Sequence, residues 1–137
     1  MKKLILRYSA ARLESRGDAF VTLARSIVGQ QISVKAAQSV WERFAALPDR
    51  MTPQQVLQLA PQAMRTAGLS VRKGEYLHDL ARHFVAHDLQ NAHWRDMDDD
   101  AVIATLIAIR GIGRWTAEMF LIFHLMRPNV LPLDDVG

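Results

Sequence analysis

Ile109-Arg110-Gly111-Ile112-Gly113-Arg114-Trp115-Thr116-Ala117 reads as the end of one helix, a very tight glycine turn and the start of a second helix. Two glycines so close together have a geometric use. One supplies a positive φ, and both let backbone come near something bulky. Leu106 and Ile109 precede the turn at core spacing, and Thr116-Ala117 runs straight on into a helix. A turn of this kind turns backbone N–H groups outward at a helix N-terminus. The helix dipole adds to them, and the result is a ready phosphate site. Gly-x-Gly also joins helices with no further purpose, so the flanks carry the reading. Upstream, Met97-Asp98-Asp99-Asp100 is an acidic helix start leading into Val102, Ile103, Leu106 and Ile107. Downstream, Met119, Phe120, Ile122, Phe123 and Met126 make a very apolar helix that Arg127-Pro128-Asn129 stops. The hairpin unit spans about residues 102–126. Beyond it, Asp134-Asp135 puts two carboxylates where a following element would start.

The rest of the chain is helical by period. Phe20, Leu23, Ala24 and Ile27 recur at helical spacing. Gly29-Gln30-Gln31-Ile32-Ser33 interrupts them. Ser33 then caps a helix with Ala36, Ala37, Val40, Trp41 and Phe44 on its inner face, closed by Pro48. Thr52-Pro53-Gln54-Gln55 is a helix start, with a cap, a first-turn proline and a glutamine at the capping-box position. Gly68 ends the short helix after Pro61. Ser70 caps the next, along which Leu77, Leu80, Ala81 and Phe84 form an apolar stripe. His78, His83 and His87 are scattered among polar positions and read as surface or boundary residues. No segment alternates with period two. The expected fold is all-α, one domain over residues 1–137.

Composition narrows the function. The chain has 137 residues, 17 Lys and Arg, 14 Asp and Glu, and a net charge of +3. Residues 1–50 hold nine basic and four acidic side chains, and residues from 94 onward hold four and seven. A basic first half with a locally acidic second half fits DNA gripping on one side and carboxylate chemistry on the other. Ordinary surface charge would give the same totals. There is no cysteine, which excludes disulfides, thiolate metal sites and iron–sulfur ligation within the chain. No apolar run reaches the roughly 18 residues of a membrane span. Arg7 interrupts the apolar start too early for a signal peptide.

The segment Leu106 to Phe123 resembles the helix-hairpin-helix DNA glycosylases, and Asp135 falls where their catalytic aspartate sits. Within that family, Gly111-Ile112-Gly113-Arg114-Trp115-Thr116-Ala117 is most similar to the alkyl-adenine (3-methyladenine) branch. Leu23 to Ala37, with Ser26-Ile27-Val28-Gly29-Gln30-Gln31-Ile32-Ser33, resembles the branch's helix and lesion-probing loop. Ala67-Gly68-Leu69-Ser70, Arg72-Lys73 and Tyr76-Leu77 match it as well. The resemblance runs from about Ala19 to the end.

That resemblance implies a base-excision repair enzyme. It would flip alkylated purines out of double-stranded DNA and hydrolyse their N-glycosidic bonds. Asp135 would stabilise the sugar cation or activate water, with Asp134 the better helix cap. Trp115 stands where bifunctional relatives carry a nucleophilic lysine, so no strand cleavage is expected. Its ring, with Met119, would line the base pocket and stack on an electron-poor base. DNA contacts would come from Gly111, Gly113, Arg114 and Thr116 in the hairpin and from Gln30, Gln31 and Ile32 in the probing loop. One of Gln31 and Ile32 would fill the gap left by the flipped base. The carbonyls of Ile107, Ile109 and Ile112 would hold a monovalent cation, and no redox cofactor is implied. Arg110 replaces a proline frequent before the first glycine and could add a phosphate contact.

The implied partner is duplex DNA with alkylated bases. No membrane or protein partner is implied, and the implied location is cytoplasmic, at the nucleoid. The chain stops at Gly137, two residues after Asp135, so a C-terminally incomplete domain is the expectation. The apolar helix after the hairpin should then lack part of its cover, favouring self-association or marginal stability and weak activity. The rival readings are a non-catalytic helix-hairpin-helix DNA-binding module or inactive fragment, and a purely structural helical protein.

Overall fold

The computed structural model describes residues 18–125. Asp134, Asp135, Met126 and the Arg127-Pro128-Asn129 stop lie outside them. Among the described residues every regular element is helical and there is no strand. In chain order these are α1 (Ala19–Val28), α2 (Val34–Ala45), α3 (Pro53–Leu57), α4 (Pro61–Thr66), α5 (Val71–Ala86), α6 (Asp99–Ile107) and α7 (Arg114–Met119). Two short 3₁₀ turns, Leu89–Asn91 and Trp94–Asp96, link α5 to α6.

The caps are where side-chain chemistry puts them. Ser33, Thr52, Ser70 and Asp98 accept hydrogen bonds from the N–H groups of Ala36, Gln55, Lys73 and Ala101. Such caps contribute about 1 kcal/mol each. Gln55 does not reach back to Thr52 as a capping box would. Its Oε1 accepts from the Arg50 N–H at 3.1 Å instead, because the Thr52 N–H is already bonded to the Arg50 carbonyl. Gly68, at φ +108°, closes α4 with paired bonds from Gly68 to Arg65 and from Leu69 to Met64.

Helix α5 is the central strut. Its buried stripe, Leu77, Leu80, Ala81 and Phe84, packs against α1, α3 and α4. Phe84 meets Phe20 of α1 edge to face, with centroids 5.4 Å apart. His78 and His83 are half-buried at the margin of the stripe and His87 is exposed. The inner face of α2 is narrower than its period implies. Val40, Trp41 and Phe44 are buried, but Ala37 is only partly buried and Ala36 is exposed.

The helix after the hairpin is not buried all round. At Phe120–His124 it widens into a π turn, with the Leu125 N–H bonding the Phe120 carbonyl. The widening sets Phe120, Leu121, His124 and Leu125 inward, against α1 and Trp94. Phe123 is left half exposed and Ile122 and Met119 partly buried. Ile107 is also exposed, since it is the last residue of α6 and points away from α7.

Candidate functional site

The hairpin is built by backbone. After Ile107, the N–H groups of Ala108 and Ile109 both bond the Leu106 carbonyl, and the Ile112 N–H bonds that of Ile109. Ile109 and Ile112 are buried beneath the turn. Gly111 has φ +95°, and a Cβ there would lie 2.6 Å from Cγ of Tyr76. The turn therefore sits flat on the Tyr76 ring of α5. Gly113 has φ −91° and ψ 177°, a conformation open to any residue, and a Cβ there would meet nothing within 4 Å. No described residue demands a glycine at 113.

Gly113 starts α7 with no side-chain cap. The N–H groups of Arg114, Trp115 and Thr116 have no carbonyl one turn back to bond. Trp115 is 57% exposed beside them. Arg114 is exposed too, its Nε 3.1 Å from Oε2 of Glu118. Thr116 is different: it is buried and turned towards α1. Arg110 is held against α5, 2.8 Å from Asp79, 3.3 Å from Glu75 and over the Tyr76 ring. Three partners on the protein leave it poorly placed for the phosphate contact its sequence position implied.

A cleft of about 280 Å³ opens between α1 and α7, lined by Thr22, Leu23, Ser26, Thr116, Met119, Phe120 and Phe123. It is at the small end of ligand pockets, which run from about 300 Å³ upward. Its walls are apolar and aromatic with three hydroxyls, and among the described residues no charged side chain lines it. Met119 is in this cleft, whereas Trp115 is outside its lining, on the surface at the head of α7. Phe123, Thr22 and Ser26 were not among the site residues expected from the sequence.

His124 was also missed. It is buried, stacks on Phe120 at 4.6 Å and shares a 2.9 Å hydrogen bond with Thr22 Oγ1. Its partner lies 102 residues away, and a histidine inside an apolar run gives no local signal.

The loop expected to probe DNA follows α1. Gln31 takes φ +62°, and Gln31 and Ile32 are exposed at its tip. Gln30 faces the other way. Its Nε2 donates to the Gly111 carbonyl at 3.0 Å, tying the loop to the hairpin. Lys73 of α5 donates to the Val28 and Gln30 carbonyls at 2.8 and 2.6 Å.

The carbonyls expected to hold a monovalent cation, those of Ile107, Ile109 and Ile112, are neutral oxygens, the first at the C-terminal end of α6 and the others in the turn that follows. That of Ile109 accepts one bond, from Ile112, and keeps a second lone pair. The donor set fits a singly charged hard ion. Among the described residues there is no group of three or more His, Asp or Glu side chains able to hold a metal. No helix there is long and apolar enough to cross a membrane.

Residues 24–137 match the model of the HhH-GPD superfamily of base excision DNA repair proteins. The chain belongs to this superfamily. Its members include relatives similar over nearly the whole chain. DNA-3-methyladenine glycosylase 1 of Schizosaccharomyces pombe is 31% identical over 98% of this chain and 61% of its own length. Among solved structures, the DNA-3-methyladenine glycosidase of Bacillus halodurans superposes with TM-score 0.80 and 39% identity, over 88% of this chain and 56% of that one. The S. pombe enzyme Mag1, solved with abasic DNA, gives TM-score 0.78 and 32% identity, over 87% and 60%. The chain thus spans between 43% and 61% of the length of the curated relatives it matches.

Proposed function

We propose that this chain is a monofunctional DNA glycosylase that hydrolyses the N-glycosidic bond of alkylated purines, chiefly 3-methyladenine, in double-stranded DNA. The observation that supports it most is the small, uncharged, aromatic-walled cleft between α1 and α7, opening beside an uncapped hairpin in a base excision repair superfamily.

The chemistry follows from the charges. Alkylation leaves the purine cationic, so it departs without a general acid. The C1′–N bond breaks and its electrons neutralise the base. Positive charge develops on the sugar, where a carboxylate stabilises it, and that is the role of Asp135. Water adds to C1′ and loses a proton to Asp135 or solvent. Met119, Phe120 and Phe123 surround the flipped ring, and Trp115 stacks at the mouth. Gln31 or Ile32 fills the vacated stack. The Ile107, Ile109 and Ile112 carbonyls would hold a monovalent cation, which supplies fixed positive charge beside a phosphate bound at Gly111, Gly113 and Trp115.

Trp115 has no amine, so no Schiff base forms at that position. Incubation with methylated duplex and sodium borohydride should give no covalent complex on a denaturing gel. A trapped complex that depends on the borohydride would show an amine nucleophile and end the monofunctional reading.

Gly113→Val tests the hairpin's grip. The Cβ meets no protein atom, so the variant should fold normally. It should bind every duplex more weakly by a similar factor, because phosphate contacts position without specifying. The salt dependence of binding should flatten as fewer counterions are released. Affinities for several unrelated duplexes at two salt concentrations decide the matter. Weakening confined to particular sequences would assign base reading to the hairpin instead.

A further inference from the structure

Lys73 occupies the third position of α5, in the first helical turn. A cation there opposes the helix dipole. Burial also pulls its pKa below the ordinary lysine value. Both effects disfavour an ammonium at this place. What offsets them is specific. The ammonium donates to two carbonyls of one loop, Val28 at 2.8 Å and Gln30 at 2.6 Å. Charge-assisted bonds of this length are the strong kind. The same Gln30 donates its side-chain amide to the Gly111 carbonyl at 3.0 Å. A single path therefore runs from α5 through the loop backbone to the hairpin turn. It fixes the residue just before Gln31, whose φ of +62° needs support from its surroundings. Gln31 and Ile32 are left exposed at the tip.

We propose that Lys73 is a positioning residue for the probing loop. Its ammonium holds the Val28 and Gln30 carbonyls so that Gln31 and Ile32 stand poised to enter the DNA stack, and Gln30 locks that pose to the hairpin. This rests on the reading of the loop as the wedge of a base-flipping enzyme. Lys73 itself touches neither base nor sugar, so its loss should impair insertion more than binding. A lysine exposed to DNA as a phosphate contact would behave in the opposite way.

The test uses Lys73→Met, which keeps the stem and removes the charge, with Lys73→Arg as the conservative variant and Gln30→Leu to cut the hairpin tie. Circular dichroism melting establishes folding. The first readout is amide exchange across residues 29–33 of the free protein. Two bonds to a charged donor are lost, so exchange should quicken by about 10-fold or more in Lys73→Met. It should stay within about 3-fold of wild type in Lys73→Arg, which still offers two N–H donors. The second readout is the fluorescence of 2-aminopurine placed opposite a tetrahydrofuran abasic-site analogue in duplex DNA. Wild type should raise it on binding. Lys73→Met and Gln30→Leu should lose more than half of that rise at saturating protein, and Lys73→Met should keep its affinity for undamaged duplex within about 3-fold. Unchanged exchange and a full fluorescence rise in Lys73→Met would overturn the proposal. So would a loss of affinity for undamaged duplex that accounts for the lost signal. If wild type gives no rise at all, the wedge reading fails and the proposal with it; unchanged exchange in Lys73→Met alone removes Lys73 and leaves the wedge standing.

Discussion

Asp135→Asn should lower single-turnover release of 3-methyladenine from methylated duplex by about 10²-fold or more while leaving DNA affinity nearly intact. The size follows from what the carboxylate is asked to do. Stabilising charge that exists only in the transition state acts on the rate and not on ground-state binding. Removing one such stabilising group costs about 10²–10³-fold in well-studied active sites. Asparagine keeps the shape and can still cap a helix, so a structural role for the side chain would survive the change. Among the described residues the cleft lining carries hydroxyls, a thioether and aromatic rings and no carboxylate. Quenched-flow release of free base, set beside an affinity measured on an abasic-site duplex, separates the two effects. Unchanged release by the variant would remove Asp135 from the mechanism.

Gly111→Ala should be the most destabilising single-methyl change in the hairpin. Two separate costs meet at that position. The backbone is at φ +95°, where an L side chain is strained by about 1–3 kcal/mol. The new Cβ would come within 2.6–2.9 Å of three Tyr76 atoms, and overpacking of that kind costs about 1–3 kcal/mol more. The total is a large part of a typical stability of about 5–15 kcal/mol. Each 1 kcal/mol shifts Tm by about 4–8 °C in domains of roughly 60–100 residues and about 2–4 °C in those of roughly 150–250, so a drop of about 10 °C is expected. Placing Gly111→Ala in a Tyr76→Ala background should recover the ring's share of the packing loss, and leave the backbone part and the 2.9 Å approach to the remaining Cβ. A wild-type Tm for Gly111→Ala would mean the turn does not lie on Tyr76 at positive φ. The contrast with Gly113→Val is structural: position 111 needs glycine for its positive φ and its contact with Tyr76, and position 113 needs it for neither.

Local chemistry was legible in the sequence, and tertiary chemistry was not. Ser33, Thr52, Ser70 and Asp98 cap helices because a hydroxyl or carboxylate reaches an N–H three residues on. Gly68 and Gly111 mark the left-handed turns for the same short-range reason. The buried stripes of α1 and α5 follow from period alone. The candidate site is assembled differently. The cleft joins Thr22 and Ser26 to Met119 and Phe123 across most of the chain. His124 finds Thr22 102 residues back, and Lys73 finds its loop 45 and 43 residues back. No window of sequence contains both ends of such a contact. The π turn at Phe120–His124 was hidden for a related reason: an apolar run fixes that a helix exists, and packing against α1 and Trp94 fixes where its pitch changes. Arg110 shows the converse. Its place beside a glycine turn suggested phosphate, but its partners are Asp79, Glu75 and Tyr76 on a helix some 30 residues away.

The central claim is that this chain removes an alkylated purine from duplex DNA. It is tested most directly by incubating the full chain with N-methylated duplex and resolving the released bases by chromatography. The account predicts free 3-methyladenine accumulating with enzyme concentration, with alkali-labile abasic sites left in otherwise unbroken strands. DNA binding without release above the spontaneous rate would contradict it, and would identify the chain as a binding module built on the same hairpin.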